Sequence, residues 1–123
     1  MIELLSDLGG GKTTFVRGLA TGAGSKDAVS SPSFTLVNQY RAGALTIYHF
    51  DFYRLHEAGI MRSELEEVID DRQAAVVVEW ADVVRDVLPS ERLTIRIVPT
   101  GETARRFECT YPAKLSYLLP INT

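Results

Sequence analysis

At 123 residues, 46% apolar and 24% charged, the chain suits one globular domain over 1–123, and no apolar run approaches the ~20 residues that cross a bilayer. A formal net charge of −3 argues against a surface built to bind a nucleic-acid backbone directly. The lone Cys109 excludes an internal disulfide and suits a reducing cytoplasm, and MIELL is too short for the core of a signal peptide.

Ile2–Leu5 reads as a short strand and Lys12–Ala23 as a helix. In the latter, Phe15, Val16, Leu19, Ala20 and Ala23 recur at helical spacing, and Gly22 and Gly24 loosen its end. Ser30-Ser31-Pro32 marks a loop, because Pro32 drives Ser31 out of helical geometry. Phe34–Tyr40 and Leu45–Asp51 read as strands joined by a turn over Arg41–Ala44. Glu57–Ile69 carries Ile60, Met61, Leu65, Val68 and Ile69, an irregular amphipathic helical pattern. Ala74–Glu79 is an unbroken apolar run closed by an acid, as a strand buried on both faces requires. Leu93–Val98 and Arg105–Tyr111 flank PTGET as a hairpin, and a last helix-like stretch, Ala113–Leu119, stops at Pro120. A strand–loop–helix opening followed by more strands and helices predicts an α/β fold with a central, mostly parallel sheet between helical layers.

Between the first strand and the first helix stands SDLGGGKTT. Backbone N–H groups can surround phosphate oxygens only where no side chain blocks the approach, so such loops are glycine-rich and open into a helix N-terminus. Gly9, Gly10 and Gly11 meet that need. Lys12 would reach the β- and γ-phosphates, and the Thr13 hydroxyl would complete a Mg²⁺ shell. Glycines also mark ordinary turns, so the nucleotide reading rests on the apolar run before the loop and the amphipathic helix after it. Ser6 occupies the place where the strict pattern has glycine. If left-handed backbone is needed there, the cost is about 1–2 kcal/mol, or about tenfold in ATP affinity.

Phosphoryl chemistry needs carboxylates at the C-terminal ends of buried strands, where they project into the phosphate crevice. Asp51 and Glu79 each close a predicted strand. Glu79 is expected to hold metal rather than cap the next helix. Asp51 is expected to act on water rather than pair with His49 or Arg54. His49 reads as a strand histidine, Cys109 as core filling, and Glu66-Glu67 with Asp70-Asp71 as a solvated helix face and end.

The segments SDLGGGKTTFVRGLA, SSPSFTLVNQY, IYHFDFYRL and VVVEWAD, in this order and spacing, resemble the TsaE (YjeE-type) ATPases. The likeness runs from about Leu4 to Arg106, and HFDFYRL and EWAD are more diagnostic than the loop. It implies a P-loop NTPase-like three-layer sandwich. It also implies a Mg²⁺-dependent ATPase that supports threonylcarbamoyl modification of the tRNA adenosine beside the anticodon. TsaB-like and TsaD-like partners are implied, with tRNA engaged indirectly through the complex. The resemblance puts the phosphate loop on Gly9, Gly10, Gly11, Lys12, Thr13 and Thr14, and the metal ligands on Thr13 and Glu79. A second functional acid falls on Asp51, a switch-like segment on Ser31 and Thr35, and a tryptophan after the metal ligand on Trp80. A late basic position near the nucleotide falls on Arg105 or Arg106. Against the family pattern, Ser6 replaces a glycine, Gly10 replaces an alanine, and an upstream helix and strand are expected to be missing, a shortening at the N-terminus.

Catalysis is thus expected from Lys12, Thr35, Asp51 and Glu79, with Trp80 and Arg105 beside the bound nucleotide. Turnover is expected to be slow alone and faster with partners. A transition-state arginine adds about 10³–10⁵ in rate, and no arginine here stands in a motif that requires that role. The same loop and acids would also serve a small-molecule kinase, with Asp51 as base towards a hydroxyl, or a nucleotide-gated binding module with little hydrolysis.

Overall fold

The computed structural model describes residues 1–6, 11–29, 37–53 and 59–119. Six strands, β1 (Ile2–Leu5), β2 (Val37–Ala42), β3 (Leu45–Asp51), β4 (Ala74–Glu79), β5 (Leu93–Pro99) and β6 (Arg105–Thr110), form one sheet in the order β2-β3-β4-β1-β5-β6. The four inner strands β3, β4, β1 and β5 run parallel, and β2 and β6 pair antiparallel at the two edges. Helix α1 (Lys12–Gly22) covers one face; helix α2 (Ile60–Ile69) and a 3-10 segment, Ala81–Val87, cover the other.

Strand alternation sorts the core into two halves. Leu4, Ile47, Val77, Ile95 and Ile97 meet Val16 and Ala20 of α1. Phe50, Val76 and Val78 turn the opposite way, onto Leu65 of α2 and Ala81, Val84 and Leu88. The split of Val77 from Val76 and Val78 is the two-sided burial that the run AAVVVE predicts. Each such aliphatic side chain contributes about 1.5–3 kcal/mol on burial.

Helix α1 ends as a glycine-dependent motif. Gly24 has φ +90°, the Gly24 N–H donates to Thr21 O at 3.0 Å, and the Ser25 N–H donates to Ala20 O at 2.9 Å. These two reversed bonds satisfy carbonyls that the last turn would otherwise leave open.

Three sequence expectations change at their margins. The stretch after Glu79, to which no element was assigned, folds as the 3-10 segment; Ala81 and Val84 are both buried, and a three-residue turn puts them on one side. The final stretch is likewise 3-10, over Ala113–Leu118, with no buried residue to anchor a longer helix. The expected strand Phe34–Tyr40 begins at Val37, its first three residues lying outside the described set, as do Glu57 and Ala58 of the expected helix.

Glu3 was read within an apolar run, and it is buried, with 1% exposure. Its parity opposes that of Leu4, so its carboxylate faces the side of the 3-10 segment. There Arg92 Nε donates to Oε1 at 3.0 Å, Arg85 Nη2 to Oε2 at 3.1 Å, and Thr94 Oγ1 to Oε1 at 3.4 Å. Hydrogen bonding to Asp82, then the charge of Glu3, raises the Arg85 pKa above its ordinary value, so this partner stays cationic. Among the described residues no helix is long and apolar enough to cross a membrane.

Candidate functional site

The chain delivers its chemistry-bearing side chains to the carboxyl ends of β1, β3 and β4. Asp51 and Glu79 are in register across the β3–β4 pair, and His49 lies opposite Val77, two positions deeper. Residues 49, 51 and 79 share the parity of Ile47 and Val77, hence the α1 side of the sheet. Glu79 is 3% exposed, Asp51 4% and His49 0%. From α1, Lys12 enters the same space and is itself buried.

Lys12 is the hub. Its Nζ donates to Ser6 O at 3.1 Å, stands 3.7 Å from Glu79 Oε1 and lies 5.0 Å from the centroid of the Trp80 ring. The other Glu79 oxygen, Oε2, is hydrogen-bonded to His49 Nε2. The backbone around the acids is pinned as well: the Phe52 N–H donates to Glu79 O at 3.1 Å and the Tyr53 N–H to Asp51 Oδ1 at 2.9 Å. Thus both acids are fixed, and one Glu79 oxygen faces a cation rather than solvent.

The N-terminus of α1 has no capping side chain and no acid in its first turn. Its N-cap is Gly11, at φ 106°, where the helix is entered through left-handed backbone. A Cβ built there would meet nothing within 4 Å, so only the backbone opposes substitution. Gly11→Ala should therefore lower unfolding free energy by about 1–2 kcal/mol, read as a shifted urea midpoint. An unmoved midpoint would contradict the left-handed assignment. Uncapped first-turn N–H groups next to a lysine form an anion-binding arrangement.

The penalty anticipated at Ser6 does not arise. Among the described residues the one non-glycine with positive φ is Trp80, at φ 54° and ψ 52°. Ser6 instead supplies the carbonyl that holds Lys12. Trp80 turns the chain sharply after Glu79 and brings its ring to 4.9 Å from that of Tyr53, tilted by 47°. Its buried indole Nε1 has no hydrogen-bond partner among the described residues.

A second feature adjoins α1. Gly11, Thr14, Phe15 and Gly18 form one wall of a groove of about 560 Å³, and Ile97, Glu102, Thr103, Arg105 and Phe107 form the other. Phe15 and Phe107 meet edge to face, 5.8 Å between centroids. Of the two arginines left open by sequence, Arg105 lines this groove, its Nη1 bonded to the carbonyls of Gly101 and Ala104. Arg106 instead binds Glu108. Trp80 lines a different, smaller cavity of about 290 Å³ at the ends of β1 and β5. Thr13 sits half-buried in the first turn of α1, beside Lys12. Gly9, Gly10, Ser31 and Thr35 lie outside the described residues.

The donor set can be tested against Mg²⁺. Among the described residues no three His, Cys, Asp or Glu side chains converge, so the protein builds no self-sufficient cation cage. One buried carboxylate, Glu79, and one hydroxyl, Thr13, is a set that fits Mg²⁺, which keeps several waters and takes its other oxygens from phosphates.

Sequence reading missed one member of this cluster, His49. Its period-two relation to Asp51 was a partial signal: it puts the two on one face of β3, while the register of the neighbouring strand decides whether Glu79 joins them.

Comparison with known proteins gives a consistent result. The family model described as threonylcarbamoyl adenosine biosynthesis protein TsaE matches residues 1–107. A tRNA threonylcarbamoyladenosine biosynthesis protein TsaE of Bacillus subtilis is 40% identical over 114 residues, covering 89% of this chain and 68% of that protein. The TsaE of a Nostoc species is 35% identical over 113 residues, covering 89% and 69%. Among solved structures, Bacillus subtilis YdiB superposes with a TM-score of 0.70 at 34% identity, over 95% of this chain and 71% of that one.

Proposed function

The chain belongs to the TsaE family, which is involved in tRNA threonylcarbamoyladenosine biosynthesis, and on that premise we propose that it is a Mg²⁺-dependent ATPase serving that modification. The observation that carries the reading is the buried pair at the mouth of α1: Lys12 at an uncapped helix N-terminus, 3.7 Å from the carboxylate that closes β4. A cation and an acid set this close, at a helix start that no side chain caps, suit a phosphate–magnesium unit better than a structural ion pair. A structural pair at a helix start would favour an acid in the first turn, not a lysine.

In this reading Gly9, Gly10, Gly11 and Thr14 supply amides to the phosphates, and Lys12 exchanges Ser6 O for phosphate oxygens. Thr13 and Glu79 would hold Mg²⁺, which when bound would supply positive charge to the phosphate oxygens. Asp51, fixed through Oδ1 by Tyr53, orients the attacking water or takes its proton. Thr35 senses the γ-phosphate. The groove between α1 and the β5–β6 hairpin, with Phe15 and Phe107 in its walls, accepts the base and ribose. Arg105, bonded to hairpin carbonyls, is built to shape that groove rather than to reach a transferring phosphate.

The missing transition-state charge is then supplied by partners, TsaB-like and TsaD-like proteins, with tRNA reached through them in the cytoplasm. Phosphate release from ATP should be slow for the isolated chain and rise with the partner pair and tRNA. An unchanged rate counts against the partnership. Lys12→Ala should weaken ATP binding about 10- to 150-fold, from loss of charge-assisted contacts worth about 1.5–3 kcal/mol. Calorimetric titration measures it, and an unaltered dissociation constant would remove Lys12 from the site.

A further inference from the structure

We propose that His49 is a positioning residue for Glu79, its buried imidazole holding one carboxylate oxygen so that the other faces Lys12 and the phosphate side of the site. The inference rests on the reading of Glu79 as the carboxylate that holds Mg²⁺. Three observations carry it. His49 Nε2 is hydrogen-bonded to Glu79 Oε2, while Oε1 is the oxygen 3.7 Å from Lys12 Nζ. The register His49↔Val77 and Asp51↔Glu79 sets His49 diagonally beneath Glu79 on one sheet face, so the strands themselves fix the approach. Finally, His49 is 0% exposed and its Nδ1 has no hydrogen-bond partner among the described residues.

That orphan nitrogen is informative. A buried polar atom without a partner destabilises the fold, and leucine at this position would fill the same space without one. Core packing therefore does not account for the imidazole, whereas restraint of a carboxylate does. In that contact Nε2 carries the hydrogen given to the Glu79 carboxylate. With Nε2 engaged by Glu79 and the ring fully buried, His49 is not placed to act on an attacking water. Outer partners of this kind set the orientation of ligating groups, and their removal lowers metal affinity about 10- to 100-fold.

The test follows Mg²⁺ binding rather than turnover. A fluorescent, non-hydrolysable ATP analogue is held at fixed concentration and free Mg²⁺ is titrated against wild type, His49→Leu, His49→Gln and His49→Asn. Gln puts a donor near the place of Nε2; Asn, being shorter, does not. The Mg²⁺ midpoint should rise about 10- to 100-fold in His49→Leu and His49→Asn and return to within about threefold of wild type in His49→Gln. Analogue affinity in EDTA should stay within about twofold throughout, since in this reading His49 acts on the metal through Glu79. Should His49→Leu fail to fold, the Gln and Asn variants decide between themselves. Equal Mg²⁺ midpoints in Asn and wild type, or a loss in EDTA as large as that in Mg²⁺, would overturn the proposal. Glu79→Gln run alongside separates the two readings. If it shifts the midpoint and the His49 variants do not, only the positioning role falls; if it leaves the midpoint unmoved, the metal role of Glu79 falls first.

Discussion

Glu79→Gln should bind ATP but release phosphate at least about 100-fold more slowly than wild type in the presence of Mg²⁺, the scale seen when one preorganised electrostatic group is removed from an active site. The substitution is nearly isosteric. An amide oxygen can still accept from His49 Nε2, and the strand geometry, including the Phe52 N–H bonded to Glu79 O, is untouched. What is lost is charge: a neutral amide is a poor ligand for a hard cation and no longer opposes Lys12. Binding without Mg²⁺ should hold or improve, because Lys12 is released from its anion. Single-turnover phosphate release, paired with nucleotide titration in EDTA, measures both halves. Wild-type turnover in the variant would refute the metal assignment.

The second large effect concerns stability, at the opposite face of the sheet. Arg85→Ala combined with Arg92→Ala should destabilise the fold by about 3–5 kcal/mol at neutral pH, the range for stranding a buried charge. Glu3 is 1% exposed in a central strand, so it cannot turn to water when its guanidinium partners leave. Thr94 Oγ1, at 3.4 Å, is a weak remaining donor. Adding Glu3→Leu to the double variant should recover most of the loss, because a packed apolar side chain replaces an unpaired carboxylate. Urea unfolding of the three proteins tests this. A double variant within about 1 kcal/mol of wild type would mean that Glu3 is solvated after all.

What could be read from the sequence, and what could not, divides along physical lines. Strands β1, β3 and β4 were legible because apolar runs bounded by turns fix a strand wherever they occur. α1 was legible because Val16 and Ala20 repeat at helical spacing. The placement of Asp51 and Glu79 at strand ends followed from the same runs. The His49–Glu79 contact was not, because it depends on which strands are adjacent and in what register, a property of the assembled sheet. Glu3 was hidden for the same reason: its partners, Arg85 and Arg92, lie far along the chain, and one of them sits on a 3-10 segment whose three-residue spacing mimics neither strand nor α-helix. Trp80 gave no sign of left-handed backbone, which glycine ordinarily signals.

The order of the strands bears on how the protein comes into being. β1 lies between β4 and β5, Ile2 pairing with both Val77 and Leu93, so both of its neighbours come from far along the chain. Pairings of such separation fold slowly, because most of the chain must be ordered before they contribute.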